Sequence, residues 1–292
     1  MSIEITTAFV QQYSGNVQLL SQQKGSRFRS ASREESQVGK NAFYDQIGAT
    51  TARKRTERHG DTPLISTPHS RRRVALVDYD WADLIDDLDK VRMLIDPQSS
   101  YAQNAAFAMG RAMDDALIEA MYSTAYTGEE GGTSTTFPSS QQIDISGTLT
   151  LPKLLEAKEK LDAAEVDDAI PRFFACSANV LTDLLNIEEL TSADYATVKA
   201  LVQGQIDTFL GFKFLRSERL PLDRTTTGGG SGDRSCFAWA QDGILLAVGQ
   251  NPIGKIDMRA DKNYSTQVYY SMAIGATRME EKKVVEVICQ ED

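Results

Sequence analysis

The side chains able to do chemistry are few here, and their spacing suits little of it. His59 and His69 are the only histidines, and both lie in a basic stretch. A helical zinc site needs two histidines four positions apart, which these are not, so a surface or contact role follows for both. Cys176, Cys236 and Cys289 are odd in number, scattered, and set in apolar strand-like runs. That pattern suits reduced, buried thiols, with neither a disulfide framework nor a metal cluster. The run Gly228, Gly229, Gly230, Ser231, Gly232 lacks the Lys-Ser/Thr that completes a phosphate loop, and reads as a flexible connection. No serine sits in a Gly-x-Ser-x-Gly elbow. The acidic cluster between Asp78 and Asp89 lacks the central glycine and closing glutamate of a calcium loop, and reads as a solvated helix face. The expectation is no catalytic residue, no metal and no cofactor. Carboxylates brought together by the fold stay open as an alternative: an enzyme with its site near Asp167, Asp168, Asp183 and the glycine run.

The conspicuous functional candidates are cations. Arg53, Lys54, Arg55, Arg58, His59, His69, Arg71, Arg72 and Arg73 form a basic excursion with little apolar content. Between Lys24 and Arg73 the chain has twelve Lys and Arg against five Asp and Glu, while the whole chain carries a net charge of -10. A basic arm on an acidic body suggests contact between copies, or with an acidic partner. DNA binding by residues 53 to 73 is the competing reading; the stretch has little aromatic interleaving and no nucleic-acid fold signature.

The elements that must hold these residues follow from periodicity. With 41% hydrophobic and 25% charged residues, the chain has the composition of an ordinary globular protein with a real core. No apolar run approaches the roughly 18 residues of a membrane span, and a cytoplasm-like compartment is expected. Asp96 to Tyr126 is the longest helical pattern, with Ala102, Ala105, Met109, Met113, Leu117 and Met121 on one stripe and Gln103, Arg111, Asp114 and Asp115 off it. Asp96-Pro97, or Ser100 with Gln103, would start it. Ahead of it, Trp81, Leu84, Ile85 and Leu88 predict a short amphipathic helix over 81–94. Residues 1–45 lack sustained periodicity and read as an arm needing a partner surface; 46–80 read as a long, irregular two-stranded excursion. An α/β unit follows over about 148–240: a helix opened by Thr150 and Pro152, a buried strand Arg172–Cys176, a helix started by Ser177 or Asn179, a helix over 192–202, and a strand Gly211–Arg216. The end is strand-rich, with Ser235–Ala240, Lys255–Arg259, Tyr264–Gly275 and Val284–Cys289 expected to return to the long helix.

That order of elements, together with particular residues, resembles the major capsid proteins of tailed bacteriophages, which have the Hong Kong 97-like fold. The matching stretches are Gln22-Gln23-Lys24-Gly25-Ser26-Arg27, Val38-Gly39-Lys40, Phe43-Tyr44-Asp45-Gln46, Asp61-Thr62-Pro63, Thr67-Pro68-His69-Ser70-Arg71-Arg72, Met109-Gly110-Arg111-Ala112, Ser217-Glu218-Arg219-Leu220-Pro221 and Ala276-Thr277-Arg278-Met279-Glu280-Glu281. It looks closest to the capsid proteins of short-tailed phages. The resemblance implies an α+β capsid fold in which 1–45 is an N-arm and 46–80 an E-loop. It places 81–147, with a spine helix over 97–126, and 241–292 in a P-domain, and 148–240 in an A-domain. It implies a shell-forming role without enzymatic activity: self-association as pentamers and hexamers around packaged double-stranded DNA, scaffolding and portal partners, and location in the virion after assembly in the host cytoplasm. The nine cations named above become inter-subunit contacts. Charge reversal at Arg71 and Arg72 is then expected to leave the subunit folded and to block assembly.

Overall fold

The computed structural model describes residues 21–58, 60–62, 64–86, 98–144, 147–186, 208–222 and 232–291. The expected helix start at Asp96 and Pro97, the helix over 192–202, residues 228–231 of the glycine run, His59 and residues 1–20 of the arm lie outside the described residues.

In chain order the strands are β1 (Arg33–Ser36), β2 (Asn41–Ile47), β3 (His69–Ala75), β4 (Val77–Ile85), β5 (Ala125–Thr127), β6 (Thr133–Thr135), β7 (Gln142–Asp144), β8 (Arg172–Cys176), β9 (Thr208–Phe209), β10 (Phe212–Arg216), β11 (Asp233–Ala240), β12 (Ile244–Arg259), β13 (Ser265–Arg278) and β14 (Val284–Gln290). The helices are α1 (Gln98–Tyr122), α2 (Leu151–Ala163) and α3 (Ala178–Asn186). The strands form three sheets, in the orders β1-β12-β13-β4, β7-β14-β11-β8-β10-β9 and β2-β3-β5-β6.

The chain divides into two compact units. One comprises Met1–Ser26, Asp78–Ala112 and Gln250–Ala273; the other comprises Arg27–Val77, Met113–Gly249 and Ile274–Asp292. In the second, the six-stranded sheet is the core. β8 is buried along its whole length, and β11 from Arg234 to Ala240. β8 pairs with β10 in parallel, and β11 runs antiparallel to both β8 and β14. The last strand therefore lies inside the α/β sheet. The expectation that the carboxy-terminal strands return together to the long helix is corrected, since Val284 and Ile288 on one face and Val285, Val287 and Cys289 on the other need cover on both sides and find it there.

α2 begins after Thr150, with Pro152 in its first turn, and buries Leu154, Ala157 and Leu161. α3 is capped by Ser177, whose Oγ accepts from the Val180 amide at 3.2 Å, and it buries Val180 and Leu184. α1 has 25 residues and so spans about 38 Å. Its buried stripe is Ala105, Met109, Met113, Leu117, Ala120 and Met121. It stops at Tyr122, four residues earlier than its periodicity predicts. Tyr126 belongs instead to β5, paired with Arg73 on β3, because an aromatic residue beside a threonine serves a half-buried strand better than a fraying helix end.

Two further expectations are corrected. Residues 81–85 are strand, not helix: Tyr79 and Trp81 are half-buried while Asp78, Asp80, Ala82 and Leu84 are exposed. That is a period of two, and it outweighs the helical spacing of Trp81, Leu84 and Ile85; residues 87–94 lie outside the described residues. β12 is longer than the expected Lys255–Arg259 because Ile244–Ala247 are fully buried and the strand then continues through Pro252 and Gly254. Pro252 lies past Val248, where the pairing with β1 ends, so its missing amide breaks no bond there. At Gly254 an added Cβ would come within 2.5 Å of the Tyr270 ring, so only glycine leaves room.

Candidate assembly surfaces

The arm is held on its own subunit by backbone bonds and one buried carboxylate. Gly110 of α1 lets Gly25 pass so closely that a Cβ would stand 2.5 Å from the Gly25 carbonyl carbon. Arg111 donates to Gln22 Oε1 at 2.7 Å. Asp114, one turn beyond Gly110, is fully buried, and it accepts from the amides of Arg27, at 3.1 and 3.0 Å, and Phe28, at 3.2 Å. Its placement off the buried stripe is thereby corrected. Phe28 then stacks on Trp239 at 5.8 Å, and Trp239 Nε1 donates to Ala31 O at 2.8 Å. Burying that ring contributes about 2 kcal/mol. Beyond it, β1 adds in parallel to β12, Arg33 opposite Leu245 through Ser36 opposite Val248. Arg29 grips Glu34 through two nitrogens, at 2.9 and 2.6 Å, and this hydrogen bonding holds the Glu34 carboxyl below its ordinary range.

The excursion starts as an antiparallel ladder of β2 and β3, Asn41 opposite Ala75 through Ile47 opposite His69, closed by Gly48 N donating to Pro68 O at 2.9 Å. The strands thus begin earlier than residue 46, and no backbone ladder holds 49–67 among the described residues. The sequence-predicted cations fall into distinct settings. Arg72 is buried: its Nε donates to Met279 O at 3.0 Å and its Nη2 to Glu281 at 2.6 Å. Arg71 lies on the opposite face, bonded to Asp45 at 2.6 Å and 5.8 Å from the Phe43 ring centre. Arg73 stacks on Tyr126 at 4.7 Å. His69 is exposed at the start of β3. Arg53, Lys54, Arg55 and Arg58 are exposed on the loop, where Arg55 Nε donates to the Glu57 carbonyl at 2.8 Å. The structure thus brings Arg71, Arg72 and Arg73 together on one strand and leaves 53–58 apart from them.

Three arginine-centred networks escaped the sequence reading. Arg234 binds Glu291 at 2.8 Å, and Glu291 also accepts from Ser177, which ties the end of β14 to α3. Arg172 joins Asp162 and Asp168. Fully buried Arg278 donates to Met121 O at 2.9 Å and lies 4.9 Å from the Phe137 ring centre. An arginine at or next to the end of a buried strand is the available signal for each, since such a charge must find acceptors.

The candidates for chemistry are occupied structurally. Burial pushes the Cys176 thiol up to about 12, and bonding with Cys289 together with burial raises Cys236. These thiols stay protonated at neutral pH. Asp168 is engaged with Arg172, and Asp167 accepts from the Ala169 amide at 2.9 Å. Among the described residues no three His, Cys, Asp or Glu side chains are grouped to hold a metal, and no helix is long and apolar enough to cross a membrane.

An α+β subunit with a strapped arm and an exposed cationic loop that no described ladder holds has the make-up of a building block of an assembly. The family model described as phage capsid protein matches residues 5–291, and the chain belongs to that family. It is a major capsid protein: it associates with copies of itself to form the shell, and its place is the virion. Solved structures agree on the Hong Kong 97-like fold. The capsid of Cyanophage P-SCSP1u aligns with a TM-score of 0.76 at 15% identity, over 99% of this chain and 95% of its own. The capsid of Cyanophage Pam1 gives 0.72 at 15% identity, over 98% and 97%. The head of Helicobacter pylori bacteriophage KHP40 gives 0.73 at 9%, over 99% and 98%. No curated protein matches the sequence.

Proposed function

We propose that the chain forms an icosahedral shell of pentamers and hexamers that encloses the double-stranded DNA genome of a tailed phage. In this reading residues 1–45 are the N-arm, 46–80 the E-loop, 81–147 and 241–292 the P-domain with α1 as its spine, and 148–240 the A-domain, to which β14 is joined by its sheet. The observation that carries it is the segment 49–67: it has exposed cations, no backbone ladder of its own among the described residues, and no core. Ordering such a segment costs entropy that only a neighbouring surface offsets. Arg53, Lys54, Arg55, Arg58, His59, His69, Arg71 and Arg73 serve as contacts between copies, while Arg72 holds the base of the excursion. Assembly takes place in the host cytoplasm with scaffolding and portal proteins, needs no cofactor and involves no catalysis by this chain. The DNA is enclosed without sequence recognition, since an acidic body avoids adhesion to phosphate.

Electron microscopy of the purified protein, alone and with the other head proteins of the phage, tests the proposal. Closed shells with local five- and six-fold rings are expected. Dispersed subunits at every concentration and salt, with those partners present, would overturn it.

A further inference from the structure

β4 is the terminal strand of its sheet, which runs β1-β12-β13-β4. Asp78 and Asp80 project from one face of it, are exposed, and form no ion pair among the described residues. Two positions apart on a strand, their side chains emerge about 7 Å from one another. On the loop, Arg53 and Arg55 are also two positions apart, with Lys54 between them, in a stretch with neither helix nor strand. An extended chain sets such a pair up to about 7 Å apart, so the two spacings match with opposite charge.

We infer that residues 53–55 of one copy lie along the open edge of β4 of a second copy, with Arg53 and Arg55 paired to Asp78 and Asp80. The inference rests on the self-assembling reading above and names the surface that the basic loop meets. Two observations point the same way. Among the described residues no strand pairs with the outer side of β4 and no ladder uses the backbone of the loop, so an added strand can pair with both. Charged residues on an edge strand also guard it against indiscriminate pairing, and an acidic guard admits a basic strand in preference to others. Register comes from the Arg-Asp pairs across the new ladder, where opposite charges attract and a one-residue slip would misplace both.

The test uses full-length chains. Arg53→Asp with Arg55→Asp, and separately Asp78→Arg with Asp80→Arg, should each lower shell yield at least tenfold at about 0.1 M salt, where screening extends only about 10 Å. One chain carrying all four substitutions should recover to within about threefold of the original. Normal assembly by the two-fold variants, or no recovery in the four-fold chain with its unfolding temperature unchanged, would overturn the inference. Should a variant fail to fold, conservative variants decide: zero-length coupling of amines to carboxylates, in shells of Arg53→Lys and Arg55→Lys chains mixed from light and heavy isotope copies, should join position 53 or 55 to Asp78 or Asp80 of another copy. Coupling of positions 53 and 55 only to other carboxylates overturns it. So does a loop variant that assembles normally but retains less DNA, for then the cations serve the genome. If the original chain forms no shells, the function proposed above fails; if shells form and the loop and strand do not meet, only this pairing fails.

Discussion

Single residues decide how the arm and the chain end are held. Asp114→Ala removes an acceptor of three amide bonds in a buried site, and should destabilise the subunit by about 3 kcal/mol while exposing residues 21–36 to protease. Denaturant unfolding and limited proteolysis measure the two parts separately. Helical periodicity hides Asp114, because a carboxylate reads as solvated by default. The visible mark is Gly110 one turn earlier, which with Asp114 makes a gap and an acceptor on one face of α1. Glu291 gives a pH prediction. Burial acts to raise its pKa, but hydrogen bonds from Arg234 and Ser177 outweigh burial and hold it below the ordinary range. A folded pKa below the unfolded one favours folding when the group is ionised. The contribution is therefore full above the unfolded value of about 4.3 and fades as pH falls through the folded one. Glu291→Gln should cost about 1 kcal/mol at pH 7 and flatten the acid limb of a stability-pH curve, as read by thermal unfolding.

Among the elements, those with long or uniform patterns are legible in the sequence, and those chosen by their neighbours are not. The stripe of α1 and the all-buried β8 follow from their own residues. The end of α1, the strand at 81–85 and the length of β12 depend on partners far away in the chain, such as Arg73 for Tyr126 and Tyr270 for Gly254. β3 shows the same limit in its function. Its three consecutive arginines look equivalent as a basic run, yet alternation sends Arg72 inward to Met279 and Glu281 and Arg71 outward to Asp45. The double reversal of Arg71 and Arg72 is accordingly no clean test of assembly. Arg72→Gln should cost about 3 kcal/mol by removing a buried guanidinium that bonds both Met279 O and Glu281. Arg71→Glu should cost far less, because the pair it breaks is exposed. Unfolding temperatures of the two single variants, compared side by side, check the difference; equal losses would mean that β3 does not alternate.

At the scale of the whole molecule, folding and assembly use different parts of the chain. The ladder of β2 and β3 is complete at Gly48 and Pro68, whose backbone bond already closes it, and nothing described between them adds to a core. Replacing residues 49–67 with Asn-Gly, a two-residue turn suited to an antiparallel ladder, should leave the subunit folded. Its stability should rise by about 1–2 kcal/mol, since a shorter loop closes at less entropic cost. Shell yield should fall by at least tenfold, because every copy loses the same contact and symmetry repeats that loss around the particle. Removing these cations also removes a salt-sensitive attraction, so whatever assembly remains should respond less to ionic strength than that of the original chain. Circular dichroism against temperature, beside light scattering at about 0.05 and 0.5 M salt, separates the two effects. Unfolding of the shortened chain would place 49–67 in the fold itself, and shells formed in normal yield would show that the acidic body is met by some other surface.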